Sequence, residues 1–422
     1  MSLKHKWYRL DNAGRLYASL TSARVTTVFR ISATLKETIN PRILQDSLDS
    51  IIERFPYYQV FLKKGVFWYY FDHTNKKPKI QLEKNYPCMN FDIRKKSVFP
   101  FRILYFGTKI SFECSHSLTD GTGGLIFLNA LLFEYLKRIG KPIHDKKHPL
   151  TFTSDQKPNE AEFEESFTKY YNPAIPKVKN GERAYHLPFK LHKKGIYSIV
   201  TGIIPSNQLY NLSKQYNVSV TEFLCAIYFE VLLEYSLSKN KKLKPIVLNI
   251  PINLRNLLPS ISMYNFFLSL TPSIDPRLGT YSFDELIKYI HHYMQLYVDP
   301  KIMLKQISRN IRSERNIVLR IIPLFIKNLI MPKIYNLWAE SKYTSSISNM
   351  GKIKLPEYIT PYIDRIEIIP PPSEGNKIKI VVNSYKDNTF LTFGKLTNDS
   401  TIERLFFTKL KKMGLPIKIE TN

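Results

Sequence analysis

Between residues 139 and 195 the sequence changes character. The stretches IGKPIHDKKHPLTFTSDQKPNE and NPAIPKVKNGERAYHLPFKLHKKG are dense in Pro, Lys and turn formers. Such a stretch breaks both helical and strand periodicity. On either side the chain alternates strand-like and helix-like segments. The middle therefore reads as a crossover linker, with a short helix near Glu160 to Lys169. It divides the chain into an N-terminal unit over 1–140, the linker over 141–195 and a C-terminal unit over 196–422. At about 150 residues per domain, a chain of 422 residues is expected to hold two or three units.

Each half has the marks of an α/β fold. Val25 to Leu35 alternates as a strand, with Phe29, Ile31, Ala33 and Leu35 on one face. Asn40 and Pro41 then supply a helix cap and a first-turn proline. Ile43, Leu44, Leu48, Ile51, Ile52 and Phe55 form its apolar stripe, and Pro56 ends it. A hairpin over Tyr57 to Phe71 turns at Lys63-Lys64-Gly65. A second hairpin pairs Phe101 to Phe106 with Lys109 to Ser115, and a helix follows from Thr122 to Arg138. In the second half, strands are expected at 196–204, 244–250, 265–271, 366–369, 377–385 and 389–394. Helices are expected at 205–216, 220–235, 283–297 and 400–413. Ser219 and Glu222 have capping-box spacing ahead of the second of these.

Composition removes several classes. Hydrophobic residues make up 44% and charged residues 23%, which is ordinary globular usage. A disordered tail, a collagen-like rod and a disulfide scaffold are excluded. Cys88, Cys114 and Cys225 are the only cysteines. An odd, sparse set fits reduced thiols in the cytosol. The opening MSLKHKWYRLDNAGRLY has no apolar h-region, so secretion is not expected. No transmembrane helix is expected either, because no window holds 18 uninterrupted apolar residues. The formal net charge is +27. AT-rich coding would enrich Lys, Ile, Asn, Tyr and Phe together, so the charge follows from codon usage as readily as from a partner. Its functional readings are an anionic ligand or an anionic membrane surface. Nucleic acid is set aside, since zinc-finger spacing, an RNP-like motif and a compact basic helix are all missing.

The most informative segment is Ser115-His116-Ser117-Leu118-Thr119-Asp120-Gly121. A polar loop leaves an alternating strand and enters a helix, with a histidine and an aspartate four apart and a glycine next. Neutral imidazole takes a proton near physiological pH, so His116 can serve as a general base. Asp120 would fix the loop by bonding its backbone or an arginine, and Gly121 would allow a tight turn. The same residues also suit a surface-loop histidine beside an ordinary aspartate helix cap.

The segment HSLTDG resembles the HxxxDG signature of the chloramphenicol acetyltransferase-like acyltransferases. These include BAHD acyltransferases, condensation domains, wax ester synthases and alcohol acetyltransferases. The chain is most similar to alcohol acetyltransferase-like proteins, and the resemblance runs along most of its length. It is carried by WYRLDNAGRLYASL, ERFPYYQVFLKKGVFWYY, SHSLTDGTGG, VTEFLCAIYFEVLLE, IPINLRNLLPS, NFFLSL and SISNMG. The resemblance implies two α/β subdomains, each a two-layer α+β sandwich, facing each other across a tunnel. It implies an O-acyltransferase in which His116 deprotonates an acceptor that attacks an acyl thioester directly. Acyl-CoA would be a co-substrate rather than a bound cofactor, with the phosphopantetheine of an acyl carrier protein as the alternative donor. The acceptor would be a hydroxyl or an amine. Asp120 would be structural, paired with Arg255. Ser346, Ser348 and Asn349 are candidates to hold the oxyanion or substrate. No metal is implied. Condensation domains carry a second histidine where this chain has Ser115, which favours simple acyl transfer. The DFGWG motif of plant relatives is absent.

Other segments also bear on function. Residues 316–338, NIVLRIIPLFIKNLIMPKIYNLW, are apolar with spaced cations. They suit a buried core helix, a lid, or a peripheral membrane contact. His144, Asp145 and His148 have metal-ligand spacing in a lysine-rich linker. His291 and His292 read as structural or solvated, and Cys114 stands two residues before His116. Two further functions remain open at this level. One is a non-catalytic or carrier-protein-dependent condensation-like module; the other is a peripheral membrane-binding protein.

Overall fold

The computed structural model describes residues 7–22, 24–143, 152–175, 183–239, 243–338 and 340–422. His144, Asp145 and His148 lie outside the described residues.

A five-stranded sheet organises the first half, in the order Ile363–Ile369, Val28–Leu35, Lys109–Ser115, Phe101–Phe106, Gln81–Leu82. The Pro41–Ile51 and Gly121–Arg138 helices belong to the same half. Asn40 caps the first of them, accepting from the Arg42 and Ile43 amides. Proline at the first helical position leaves no intrahelical hydrogen bond unmade there. A small three-stranded sheet joins Trp7–Arg9 to the Val60–Lys64 and Tyr69–His73 hairpin. That hairpin turns later than its Lys-Lys-Gly run suggested. Lys64 still pairs with Tyr69, and residues 65–68 form the tip.

The second half carries an eight-stranded sheet. Its main path is Phe267–Leu270, Ile246–Asn253, Ser345–Lys352, Ile378–Tyr385, Asn388–Lys395, Ser198–Pro205 and Lys418–Thr421. Ser273–Ile274 adds to Ile246–Asn253. The Val220–Lys239 helix is buried nearly all round, which explains why its apolar pattern continues rather than forming a stripe. Ser219 and Glu222 cap it reciprocally.

Two apolar cores form among the described residues, one centred on each half. Leu44, Phe55, Tyr58, Phe112 and Phe127 lie in the first. Phe223, Ile227, Leu248, Phe393 and Phe406 lie in the second. The halves are not two successive pieces of chain, however. Ile363–Ile369 lies late in the sequence yet pairs antiparallel with Val28–Leu35, placing Ile368 opposite Ile31. The first sheet is therefore completed by the C-terminal stretch. The Asn12–Leu20 and Pro300–Glu314 helices also bridge the halves, through Arg15 and Glu314.

Candidate active site

His116 follows the last residue of the Lys109–Ser115 strand, and its amide donates to Thr27 O at 2.9 Å. Its ring packs 4.6 Å from Phe29 and 5.2 Å from Tyr17 between ring centroids. It lines a cavity of about 1040 Å³ between the halves. The enclosing apolar wall disfavours the charged imidazolium, so burial lowers the His116 pKa to about 4.

The tautomer of His116 is set by a residue the sequence reading did not single out. Asn265 donates its amide nitrogen to Asp11 Oδ2 at 2.8 Å and to the His116 carbonyl at 2.8 Å. Two acceptors fix which end of the amide is nitrogen. The oxygen then faces His116 Nδ1 at 3.3 Å. A carbonyl oxygen only accepts, so Nδ1 carries the proton and Nε2 keeps its lone pair. Asp11 in turn caps the Asn12–Leu20 helix through the Gly14 amide at 2.6 Å. Burial pushes its carboxyl up to about 7.

Asp120 uses both oxygens. One caps the Gly121–Arg138 helix, accepting from the Thr122 and Gly123 amides at 3.1 Å. The other accepts from Arg255 Nη1 at 2.7 Å and from the Phe266 amide at 2.9 Å. Arg255 spends its remaining donors on the Ser262 and Tyr264 carbonyls and on Asn253 Oδ1. The pair thus ties the histidine loop to the chain before Phe267–Leu270. Arg255 is mostly buried, its side chain 11% exposed.

The glycines of the loop act by size. Gly121 does not adopt a left-handed turn; a Cβ there would lie 2.8 Å from Met350 Cε. At Gly123 a Cβ would fall 2.5 Å from the Met263 carbonyl, and backbone cannot yield as a flexible side chain can. Thr119 Oγ1 donates to that same carbonyl. Any larger residue at 123 would push the two halves apart.

The facing wall comes from the Ser345–Lys352 strand. Ser346 and Ser348, two apart, line the cavity together with Lys379, the strand partner of Ser346. Neither hydroxyl has a hydrogen-bond partner among the described residues. Asn349 also lines the cavity, but its amide nitrogen donates to Thr221 Oγ1 and its oxygen accepts from the Gly351 amide, both at 2.8 Å. Lys305 and Arg309, four apart on Pro300–Glu314, add positive charge to the lining.

Some candidates fall away from the cavity. Ser115 is buried, bonded to Thr27 and Ser117. Cys114 is fully buried and burial pushes its thiol well up, which removes the thiolate a nucleophile needs. His291 contacts Glu222 at 3.3 Å.

No model of a known protein family matches the chain, and no curated protein matches its sequence. Solved structures do match. The TRI3 trichothecene 15-O-acetyltransferase from Fusarium sporotrichioides superposes with a TM-score of 0.63 at 11% identity, over 97% of this chain and 95% of that one. The TRI101 protein of F. graminearum, complexed with coenzyme A and T-2 mycotoxin, gives a TM-score of 0.61 at 12% identity. That match covers 98% of this chain and 99% of TRI101. The condensation domain of the Monacolin K polyketide synthase MokA gives 0.57 at 11% identity, over 97% and 96%. The likeness spans both halves and the crossover. The chain has the two-subdomain α/β fold shared by chloramphenicol acetyltransferase-like acyltransferases and condensation domains.

Proposed function

We propose that the chain is an acyltransferase that moves an acyl group from acyl-CoA to a hydroxyl acceptor, with His116 as general base. The observation that carries this reading is the tautomer. Asn265 holds the proton on Nδ1, so Nε2 keeps its lone pair, and His116 lines a cavity shared by both halves. The known folds to which the chain is similar include acetyltransferases, and one was solved with coenzyme A bound.

The chemistry follows from these positions. Nε2 takes the proton of the acceptor hydroxyl as its oxygen attacks the thioester carbonyl carbon. A tetrahedral intermediate forms, and Ser346 and Ser348 donate hydrogen bonds to its oxyanion. Collapse breaks the carbon–sulfur bond, and the imidazolium returns its proton to the leaving thiolate. The products are an ester and free CoA, and no acyl-enzyme is needed. Asp120 and Arg255 hold the loop and take no proton. Lys305 and Arg309 suit the phosphates of the donor.

The test is thiol release from a panel of acyl-CoAs with pooled alcohols and amines, wild type beside His116→Ala. Acceptor-dependent release is expected in wild type, reduced by about 10²–10⁴-fold in the variant. Equal release in both would remove His116 from the chemistry. Release by neither, with folded protein, would move the reading to a carrier-protein donor.

A further inference from the structure

The Ile317–Ile321 and Leu324–Trp338 helices are built inside out. Ile317, Ile321, Phe325 and Leu329 are 74%, 63%, 74% and 72% exposed, whereas Lys327 is 3% exposed. A helix on the surface of a soluble domain normally buries its apolar residues and presents its lysines. Here the buried lysine is used as a tie. Lys327 Nζ donates to the Phe67 carbonyl at 2.9 Å and lies 3.5 Å from the Trp68 ring centroid. The Leu324 amide donates to the Val66 carbonyl at 2.8 Å, and Asn328 donates to Tyr69 Oη at 3.0 Å. These bonds fix the 65–68 hairpin tip beside the helices. Val66 and Phe67, also exposed, extend the same apolar face.

The charges at this face have one sign. Lys64, Arg320 and Lys333 are exposed, and none is ion-paired among the described residues. Neither 60–71 nor 315–338 contains an acidic residue. Contiguous exposed apolar side chains mark a surface that something covers, and an unpaired basic rim selects an anionic occupant. No single helix among the described residues is long and apolar enough to cross a membrane, so the contact would be interfacial.

We propose that this face seats the protein on an anionic lipid bilayer. Ile317, Ile321, Phe325, Leu329 and Phe67 enter the headgroup–acyl boundary, and Lys64, Arg320 and Lys333 meet the lipid phosphates. Tyr335, on the second helix, lines the cavity that holds His116. Docking would therefore bring one wall of that cavity against the lipid. The proposal does not rest on catalysis, and His116→Ala should bind membranes as wild type does.

The test is flotation of the full chain with phosphatidylcholine vesicles, with and without phosphatidylserine. Wild type is expected to float with the anionic vesicles only. Phe325→Glu with Leu329→Glu should cut the bound fraction at least about tenfold, as should Arg320→Glu with Lys333→Glu. Phe67→Asp, on the hairpin, supplies an independent variant should the helix variants fail to fold; unchanged melting identifies the usable ones. Three results would overturn the proposal. They are no flotation of wild type, flotation of folded variants equal to wild type, or a wild-type dimer in solution that Leu329→Glu makes monomeric.

Discussion

The two walls of the central cavity are built on opposite plans. On the His116 side the groups that hold the loop are paired inside the protein, and His116 Nε2 is the one left to the cavity. Asp11, Asn265, Asp120 and Arg255 exchange hydrogen bonds with one another's loops, and Asp120 alone accepts four. On the facing strand, Ser346 and Ser348 line the cavity with no hydrogen-bond partner among the described residues, beside Lys379. Buried polar groups are normally satisfied. Groups satisfied internally hold a wall still, and groups left open are there to offer a ligand. The difference teaches which residues should matter for stability and which for rate alone.

Removing the tie of the held wall should have the largest effect. Arg255→Ala leaves Asp120 without its cation and the Ser262 and Tyr264 carbonyls without donors. The pair is mostly buried, with side chains 11% and 7% exposed, so loss of one partner should cost about 3 kcal/mol of stability. A denaturant melt should show it as a lower midpoint, together with lost acyl transfer. An unchanged midpoint would mean that the loop does not depend on the pair.

How much of this was legible in the sequence depends on how local each signal is. HSLTDG is six contiguous residues between a strand and a helix, so the histidine, the aspartate and the helix start could be read together. The Phe283–Tyr297 and Pro41–Ile51 helices carry their apolar spacing within themselves. Asn265 was hidden because its meaning lies 149 residues away, at His116. Residues 366–369 read as a strand, which the structure extends to Ile363–Ile369, yet periodicity carries no information that its neighbour is Val28–Leu35. Two helices were missed for different reasons. Asn12–Leu20 is short and has Gly14 in its first turn, which weakens the local preference. Pro300–Glu314 did carry a readable start, Asp299 as cap before Pro300. The 316–338 segment left core and interface open because periodicity shows that two faces differ, not which one faces inward.

Breaking the open wall should separate rate from stability. The double variant Ser346→Ala, Ser348→Ala removes two donors that hold no other group among the described residues. Its melting midpoint should match wild type, while kcat falls about 10²–10³-fold if these hydroxyls meet the oxyanion. KM for the acceptor should change little, because the interaction forms only as the tetrahedral centre does. A loss of stability as large as that of Arg255→Ala would erase the distinction between the walls.

Asn265→Ala sharpens the comparison with the smallest change. Asn265 belongs to the held wall, but in the proposed reaction its effect runs through His116, as a positioning residue. Without its oxygen, Nδ1 and Nε2 compete for the proton, and two tautomers of similar energy share the population. Part of the enzyme then still offers Nε2 as base, so kcat should fall only about tenfold. The pH profile distinguishes this from general loosening. Protonation of His116 would remove the proposed base, so kcat/KM should fall as pH drops through its pKa, which burial places near 4 in wild type. The Asn265 oxygen accepts from Nδ1–H and favours the protonated ring, so its removal should move the acid limb further down rather than up. Loosening that admits water would relieve the desolvation of the ring and move the limb up, toward the ordinary histidine range near 6.5. Nitrogen NMR of the His116 ring reads the same choice without turnover. A single tautomer protonated on Nδ1 is expected in wild type and a mixture in the variant. A single tautomer in both would return the setting of the base to the aromatic packing of Phe29 and Tyr17.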